Sequence, residues 1–392
     1  MTDMFPPHER ATISTLAASR IREIANAGMG RSDVAAFWFG ESDLPTPEFI
    51  IEAARNALAE QKTFYTQNLG RPDLRAAIAA YSTQLHGTGI DMERIGVTGS
   101  GVSALMLAAQ LVVSPADRVM VVTPIWPNIA EIPKILGAQV ERFPLTIAND
   151  RWTLDLEALI ARLTPDIKML VINAPNNPTG FTLDAQSQKA LLEHCRKLGI
   201  WVLSDEVYER LVFDGAKAAP SMLAHAEPED RLIVVNSFSK TWRMTGWRIG
   251  WLTLPAQLMP ALEKIVEYNT SCVPGFVQDG ALAALTQPEG EDEVSALRAG
   301  LEASRRLLLD GLASTNRIAV PETGGAMYGF FRIDGFDDDM ALARALVAEA
   351  GLGLAPGSAF GPEGAGWLRW CFAAQPEKIA DGLERLNRFL AR

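Results

Sequence analysis

Two stretches of the chain place ionisable side chains directly after apolar runs. In Asn236-Ser-Phe-Ser-Lys240-Thr-Trp-Arg-Met-Thr-Gly-Trp-Arg248, a lysine follows such a run with small hydroxyl residues on either side. A lysine in that position is shielded from water. Desolvation and neighbouring cations lower an amine's pKa and make it a nucleophile that condenses with carbonyls. Arg248 offers a planar fork for a phosphate, and Ser237 and Ser239 offer hydroxyl donors. In Ile200-Trp-Val-Leu-Ser-Asp205-Glu-Val-Tyr208, a carboxylate closes another apolar run. Taken alone, Asp205 reads most simply as a helix N-cap and Tyr208 as a core aromatic.

Two further stretches belong with these. Thr98-Gly-Ser-Gly-Val-Ser places glycines between a strand and a helix, where backbone N–H groups approach an anion and the helix dipole favours it. Gly99-x-Gly101-x-x-Ala104 also fits a dinucleotide fingerprint, but the next strand ends Val121-Val-Thr-Pro-Ile-Trp126 without the ribose-binding acid. Asn173-Ala-Pro-Asn-Asn-Pro-Thr-Gly180 is a stiff turn that could aim Asn177 into a cleft. An amine, a phosphate clamp and an aspartate on one sheet edge are the parts that hold pyridoxal phosphate.

The elements that must position these residues alternate. β-rich runs occur at 95–98, 119–123, 139–145, 168–173, 201–205, 232–237 and 248–254, with helical patterns such as 104–113, 154–163 and 184–198 between them. Several runs are apolar throughout, which predicts burial on both faces and a mainly parallel seven-stranded sheet covered by helices. Ligands of such sheets bind at the carboxyl ends of the strands. After about residue 290 a charged helix (291–312), a strand (327–333), a helix (338–350), a strand (368–372) and a last helix (377–391) predict a smaller α+β unit. The first ~45 residues, with one helix expected at 13–27, are too few for a core of their own. They are expected to join that unit: 46–287 forms the large domain, and 1–45 with 288–392 the small one.

The 392 residues are 48% hydrophobic and 21% charged, the balance of a globular chain. A net charge of −11 with no Lys/Arg cluster argues against nucleic acid. Cys195, Cys272 and Cys371 lack CxxC spacing, so neither a metal site nor a disulfide framework is expected, and a reducing compartment is. Residues 1–10 lack the basic start and apolar core of a secretory signal, and no apolar run reaches the roughly 18 residues that span a bilayer. A cytoplasmic protein without membrane contact is the expectation.

Together these stretches resemble the class I/II aminotransferases of the fold-type I pyridoxal-phosphate enzymes. The resemblance runs from Gly40-Glu-Ser-Asp-Leu-Pro-Thr-Pro to Arg369. Its most specific parts are Asn177-Pro-Thr-Gly180, Asp205-Glu-Val-Tyr208 and Ser237-Phe-Ser-Lys240…Met244-Thr-Gly-Trp-Arg248. It implies that Lys240 joins the cofactor aldehyde as a Schiff base and later moves the substrate's proton. Asp205 keeps the pyridine nitrogen protonated, and Asn177 and Tyr208 hydrogen-bond the ring's phenolic oxygen. Trp126 stacks on the ring. Amides near Ser100, Gly101 and Val102 hold the phosphate with Ser237, Ser239 and Arg248. Tyr65 resembles the tyrosine that reaches the phosphate of a neighbouring subunit, which implies a homodimer with shared sites. Arg369, in Trp367-Leu-Arg-Trp-Cys-Phe372, matches the arginine that grips the substrate α-carboxylate, close to Gly40. Pro356-Gly-Ser-Ala-Phe-Gly361 looks like the family's small-domain loop.

Arg243 departs from the pattern, which usually has a small residue there; cleft rim and dimer contact both stay open for it. Trp38, Phe39, Tyr65 and Trp126 suit a neutral or aromatic substrate side chain, whereas Arg20 or Arg22 could supply a cation for an acidic one. The implied activity is ping-pong transfer of an amino group from an L-α-amino acid to a 2-oxo acid. The alternatives are a C–S β-lyase on the same cofactor and a cofactor-binding regulator.

Overall fold

The computed structural model describes residues 9–392, so residues 1–8, most of the stretch read for a leader, lie outside it. Seven strands form the main sheet: β1 (Ile95–Thr98), β2 (Arg118–Thr123), β3 (Gln139–Pro144), β4 (Ile167–Asn173), β5 (Trp201–Asp205), β6 (Leu232–Ser237) and β7 (Gly250–Thr253). Their spatial order is β1-β7-β6-β5-β4-β2-β3. β7 is antiparallel to β1 and β6, and the other four pairings are parallel. The central strands are apolar throughout because both faces are covered. Met169, Val171, Leu203 and Val235 pack on one side, and Leu170, Ile172, Val202 and Val234 on the other. This is the α/β architecture that the apolar runs predict.

The register brings Asn173 of β4 opposite Asp205 of β5, at the carboxyl edge of the sheet. Ser237 ends β6 beside them, and Gly250 of β7 lies opposite both Ser237 and Thr98. A Cβ on Gly250 would stand 2.7 Å from the Asn236 carbonyl and 2.8 Å from the Gly101 nitrogen. The missing side chain is what lets the start of the next helix settle on the sheet.

A second, four-stranded antiparallel sheet contains β8 (Tyr328–Ile333) and β9 (Trp367–Cys371). The early chain pairs with this C-terminal part: Ala35 and Ala36 run parallel to Leu352 and Gly353. The ring of Phe37 lies 4.8 Å from that of Trp370.

Of the expected boundaries that shift, two have a clear local cause. The helix read at 13–27 is a short turn at Ala11–Ser14 followed by α1 (Arg20–Gly28). The Ser19 side chain accepts the Arg22 N–H at 3.3 Å and starts the helix anew, so the cap outweighs the apolar spacing before it. The strand read from 248 begins at Gly250, because Arg248 has a left-handed backbone (φ +55°) that turns its side chain off the strand.

The early chain meets the second sheet at Gly353, where a Cβ would lie 2.2 Å from the buried Trp38 ring. Gly353→Val is expected to lose about 1–3 kcal/mol of stability, read as a lowered midpoint in chemical denaturation with an unchanged slope.

Candidate active site

One cleft of about 710 Å³ opens at the carboxyl edge of the main sheet and is closed over by α1, by residues 38–41 and by the second sheet. Its wall contains Lys240, Asp205, Tyr208, Asn177, Arg248 and Arg369, together with Ser237, Ser239, Gly101, Val102, Trp126 and Gly40. Two of the residues that the resemblance assigns to the cofactor are not on it. Ser100 sits behind the wall and caps α2 (Gly101–Val112), its hydroxyl accepting the Ser103 N–H at 3.0 Å. Ser100 has φ +149° and ψ 167°, a region that favours glycine, so the start of α2 carries local strain. Tyr65 is 90% exposed and does not reach this cleft within one chain.

Lys240 lies in the short helix Phe238–Thr241 that follows β6, and its Nζ donates to the Gly40 carbonyl at 2.6 Å. Burial pushes its pKa down to about 8. Glu41 and Cys371 pull in the opposite direction, and Arg369 and Arg248 add to the lowering. Burial also pushes Asp205 up to about 7, assisted by Glu206 and opposed by the Val207 N–H and by Lys240. The hydrogen bond from that N–H is long, at 3.3 Å. The desolvation that frees the amine therefore also leaves a carboxylate in want of a protonated partner.

Asn173 builds the turn beside them. Its amide donates to the Asp205 carbonyl at 3.0 Å and accepts from the Asn177 N–H at 2.8 Å. Asn177 in turn accepts from Arg369 Nη1 at 3.0 Å, while Nη2 of the same guanidinium donates to the Trp38 carbonyl. Arg369 is 2% exposed, and its Nε is buried without a partner. Arg248 donates to the Thr245 carbonyl at 2.6 Å, and burial lowers its pKa without an anion to offset it. The Ser237 hydroxyl caps the turn holding Lys240 and lies 3.0 Å from that of Ser239. Among the described residues neither guanidinium has an acidic partner, the arrangement expected of a site for anionic ligands.

The comparisons with known proteins agree with this geometry. Residues 34–386 match the family "Aminotransferase class I and II". The chain belongs to this family. Among its relatives, an aspartate aminotransferase of Pyrococcus horikoshii is 34% identical over 95% of this chain and 94% of its own length. An aspartate/prephenate aminotransferase of Thermus thermophilus is 33% identical over 92% of each. The solved aspartate aminotransferase of Thermus thermophilus with maleate superposes with a TM-score of 0.90 at 31% identity, covering 97% of this chain and 99% of that one. The chain is thus an aminotransferase of fold type I, and neither the lyase nor the regulator reading is favoured.

Several features of this aminotransferase were not apparent from sequence. Tyr328 of β8 lines the cleft, its hydroxyl 2.6 Å from that of Tyr208. Behind Asp205, His86, Glu206 and Glu209 come within 4.8 Å of one another. Burial works against a charged His86, but Glu209, 3.0 Å from its Nε2, outweighs it and raises the pKa. Arg243 pairs with Glu293 at 2.6 Å and does not line the cleft. Arg22 does line it, its guanidinium 4.7 Å from the Phe39 ring centroid, whereas Arg20 does not. The thiols of Cys195 and Cys371 are buried; the first is pushed up to about 12 and the second also upward.

The lowered pKa makes a direct prediction for the ligand-free protein. Amine arylation by trinitrobenzenesulfonate is expected to modify Lys240 with a midpoint near pH 8, against ~10.4 for an ordinary lysine. Peptide mapping across a pH series reads both, and a midpoint for Lys240 close to the ordinary value would contradict the desolvated amine.

Proposed function

We propose that the cleft holds pyridoxal 5'-phosphate and that the chain moves the amino group of an L-α-amino acid to a 2-oxo acid in two half-reactions. The observation that carries this reading is the convergence of a desolvated amine, an unpaired arginine fork and a buried carboxylate on one sheet edge. When bound, the cofactor supplies an aldehyde for a primary amine and a protonated ring that accepts electron density from the substrate Cα. The residues present fit it. Asp205 would hold the proton on the ring nitrogen, and that cationic partner would offset the burial that now drives its pKa upward.

Gly101 and Val102, at the N-terminus of α2, would give backbone N–H groups to the phosphate, with Ser237, Ser239 and Arg248 completing the clamp. Ser100 would act through its amide and its cap. Asn177 and Tyr208 would donate to the ring's phenolic oxygen, and Trp126, at the start of the helix Pro127–Ile135, would cover the ring face. Arg369 would grip the α-carboxylate through the N–H groups left over from Asn177 and Trp38, Nε among them. Lys240 Nζ would then move a proton from the substrate Cα to the cofactor carbon that carried the aldehyde, with the Gly40 carbonyl steadying it between turns.

The proposal extends to assembly. Phe64, Tyr65 and Tyr268 are 84–91% exposed. Asn68, which bonds Glu267 at 2.6 Å and the Ser271 carbonyl at 2.9 Å, ties their loops together. This supports a homodimer in which Tyr65 serves the partner's phosphate. The pairing of 35–36 with 352–353 supports a small unit made of 1–45 and 288–392 beside a large one of 46–287. Among the described residues no helix is long and apolar enough to cross a membrane, and the cysteines are unpaired. Both support a cytoplasmic setting. Arg22 on the cleft wall supports an acidic substrate side chain, in keeping with the relatives named for aspartate.

Single-turnover assays test the reading. Loaded protein mixed with aspartate and no oxo acid is expected to release one equivalent of oxo acid and stop. Lys240→Ala is expected to retain cofactor while losing turnover by at least ~1000-fold. Continuous release of pyruvate and ammonia from a cysteine conjugate, which carries a sulfur leaving group on Cβ, or wild-type turnover in the variant, would overturn it. If alanine outpaces aspartate, the role of Arg22 fails and the transfer reading stands.

A further inference from the structure

We infer that Tyr328 is a positioning residue that fixes the direction in which the Tyr208 hydroxyl donates, and that residue 40 is glycine to leave room for it. The inference rests on the cofactor reading above and extends it to Tyr328, which the motifs quoted for this chain do not include, and to a second role for Gly40.

The geometry is specific. Tyr208 and Tyr328 are both buried, their rings meet edge to face with centroids 5.8 Å apart, and their hydroxyl oxygens are 2.6 Å apart. Burial holds both phenols protonated. Each hydroxyl therefore carries a proton, and only one of the protons can lie between the oxygens. The other needs an acceptor, and both residues line the cleft. A buried donor without an acceptor is costly, so the pair is built for a ligand oxygen.

The charges around the pair set its polarity. The Arg369 guanidinium lies 4.5 Å from the centroid of the Tyr328 ring. A cation at that distance draws electron density from the phenol and makes it the better donor. Tyr208 also feels Arg369, and Lys240 Nζ stands farther off at 5.9 Å from its ring, but Asp205, three residues before it on the same edge, acts against both. At Tyr328 the pull of Arg369 is larger than the opposing effect of Cys371 or of Glu41. Tyr328 therefore donates to Tyr208, and Tyr208 passes its own proton to the ligand oxygen. Chains of this kind strengthen the outer bond.

Gly40 completes the arrangement. A Cβ there would lie 2.0 Å from the Tyr328 hydroxyl and 3.0 Å from the ring carbon that bears it. The Gly40 carbonyl also receives Lys240 Nζ, so one residue seats both the phenol and the amine. Phenylalanine at 328 would fill the same space within the ring cluster, and the backbone stays tied through Thr323, whose hydroxyl donates to the Tyr328 carbonyl at 3.0 Å. The hydroxyl is what that position adds.

The test is the pH titration of the visible absorbance of the loaded protein. A donor to the ring's phenolic oxygen stabilises its ionised form and keeps the chromophore's pKa low. Tyr328→Phe is expected to raise the midpoint by about 0.5–1 pH unit, and Gly40→Ala to move it in the same direction. In a Tyr208→Phe background, Tyr328→Phe is expected to cause no further shift. An unchanged or lowered midpoint in Tyr328→Phe, or a shift that persists in the Tyr208→Phe background, would overturn the inference. A wild-type protein that takes up no cofactor and develops no visible band would instead overturn the cofactor reading.

Discussion

A lysine that is to react as a free amine must be kept out of water, and that constraint organises this molecule. Lys240 meets it by following β6, every residue of which is buried, in a turn capped by Ser237. Burial has an electrical consequence one strand away: what drives the amine towards neutrality also drives Asp205 towards protonation. Neither group is relieved by a partner of the opposite charge in direct contact. The site is thus poised for a ligand that brings both an electrophile for the amine and a proton for the carboxylate.

The sheet supplies only half of the cleft. Arg369 comes from the second sheet and reaches across to Asn177 of the turn that follows β4 and to Trp38 of the early chain. One guanidinium therefore joins three distant parts of the sequence at the place where a substrate carboxylate would sit. The same packing explains the glycines at 250 and 353: the first lets α2 approach the sheet, the second makes room for the Trp38 ring.

Much of this could be read from the sequence because two-sided burial leaves a plain mark. The continuous apolar runs became the strands of the main sheet, and the polar residues just after them, Asn177, Asp205, Ser237 and Lys240, meet in one cleft. What could not be read depended on distant contacts. In Tyr328-Gly-Phe-Phe, an aromatic run looks like core, and the phenol's partner lies 120 residues away. The signal was there in outline, since a tyrosine among phenylalanines must satisfy its hydroxyl. Arg243 has its explanation in Glu293, on a helix 50 residues on. The true start of α1 turned on one serine cap, a local choice that apolar periodicity does not reveal.

The central claim is that one particular amine, kept neutral by its surroundings, is where the cofactor attaches. Borohydride reduction of the protein mixed with pyridoxal phosphate, followed by mass mapping of the peptides, addresses it most directly. The account predicts one equivalent of reduced adduct per chain, all of it on the peptide carrying Lys240. An adduct spread over several lysines, or none at Lys240, would contradict it.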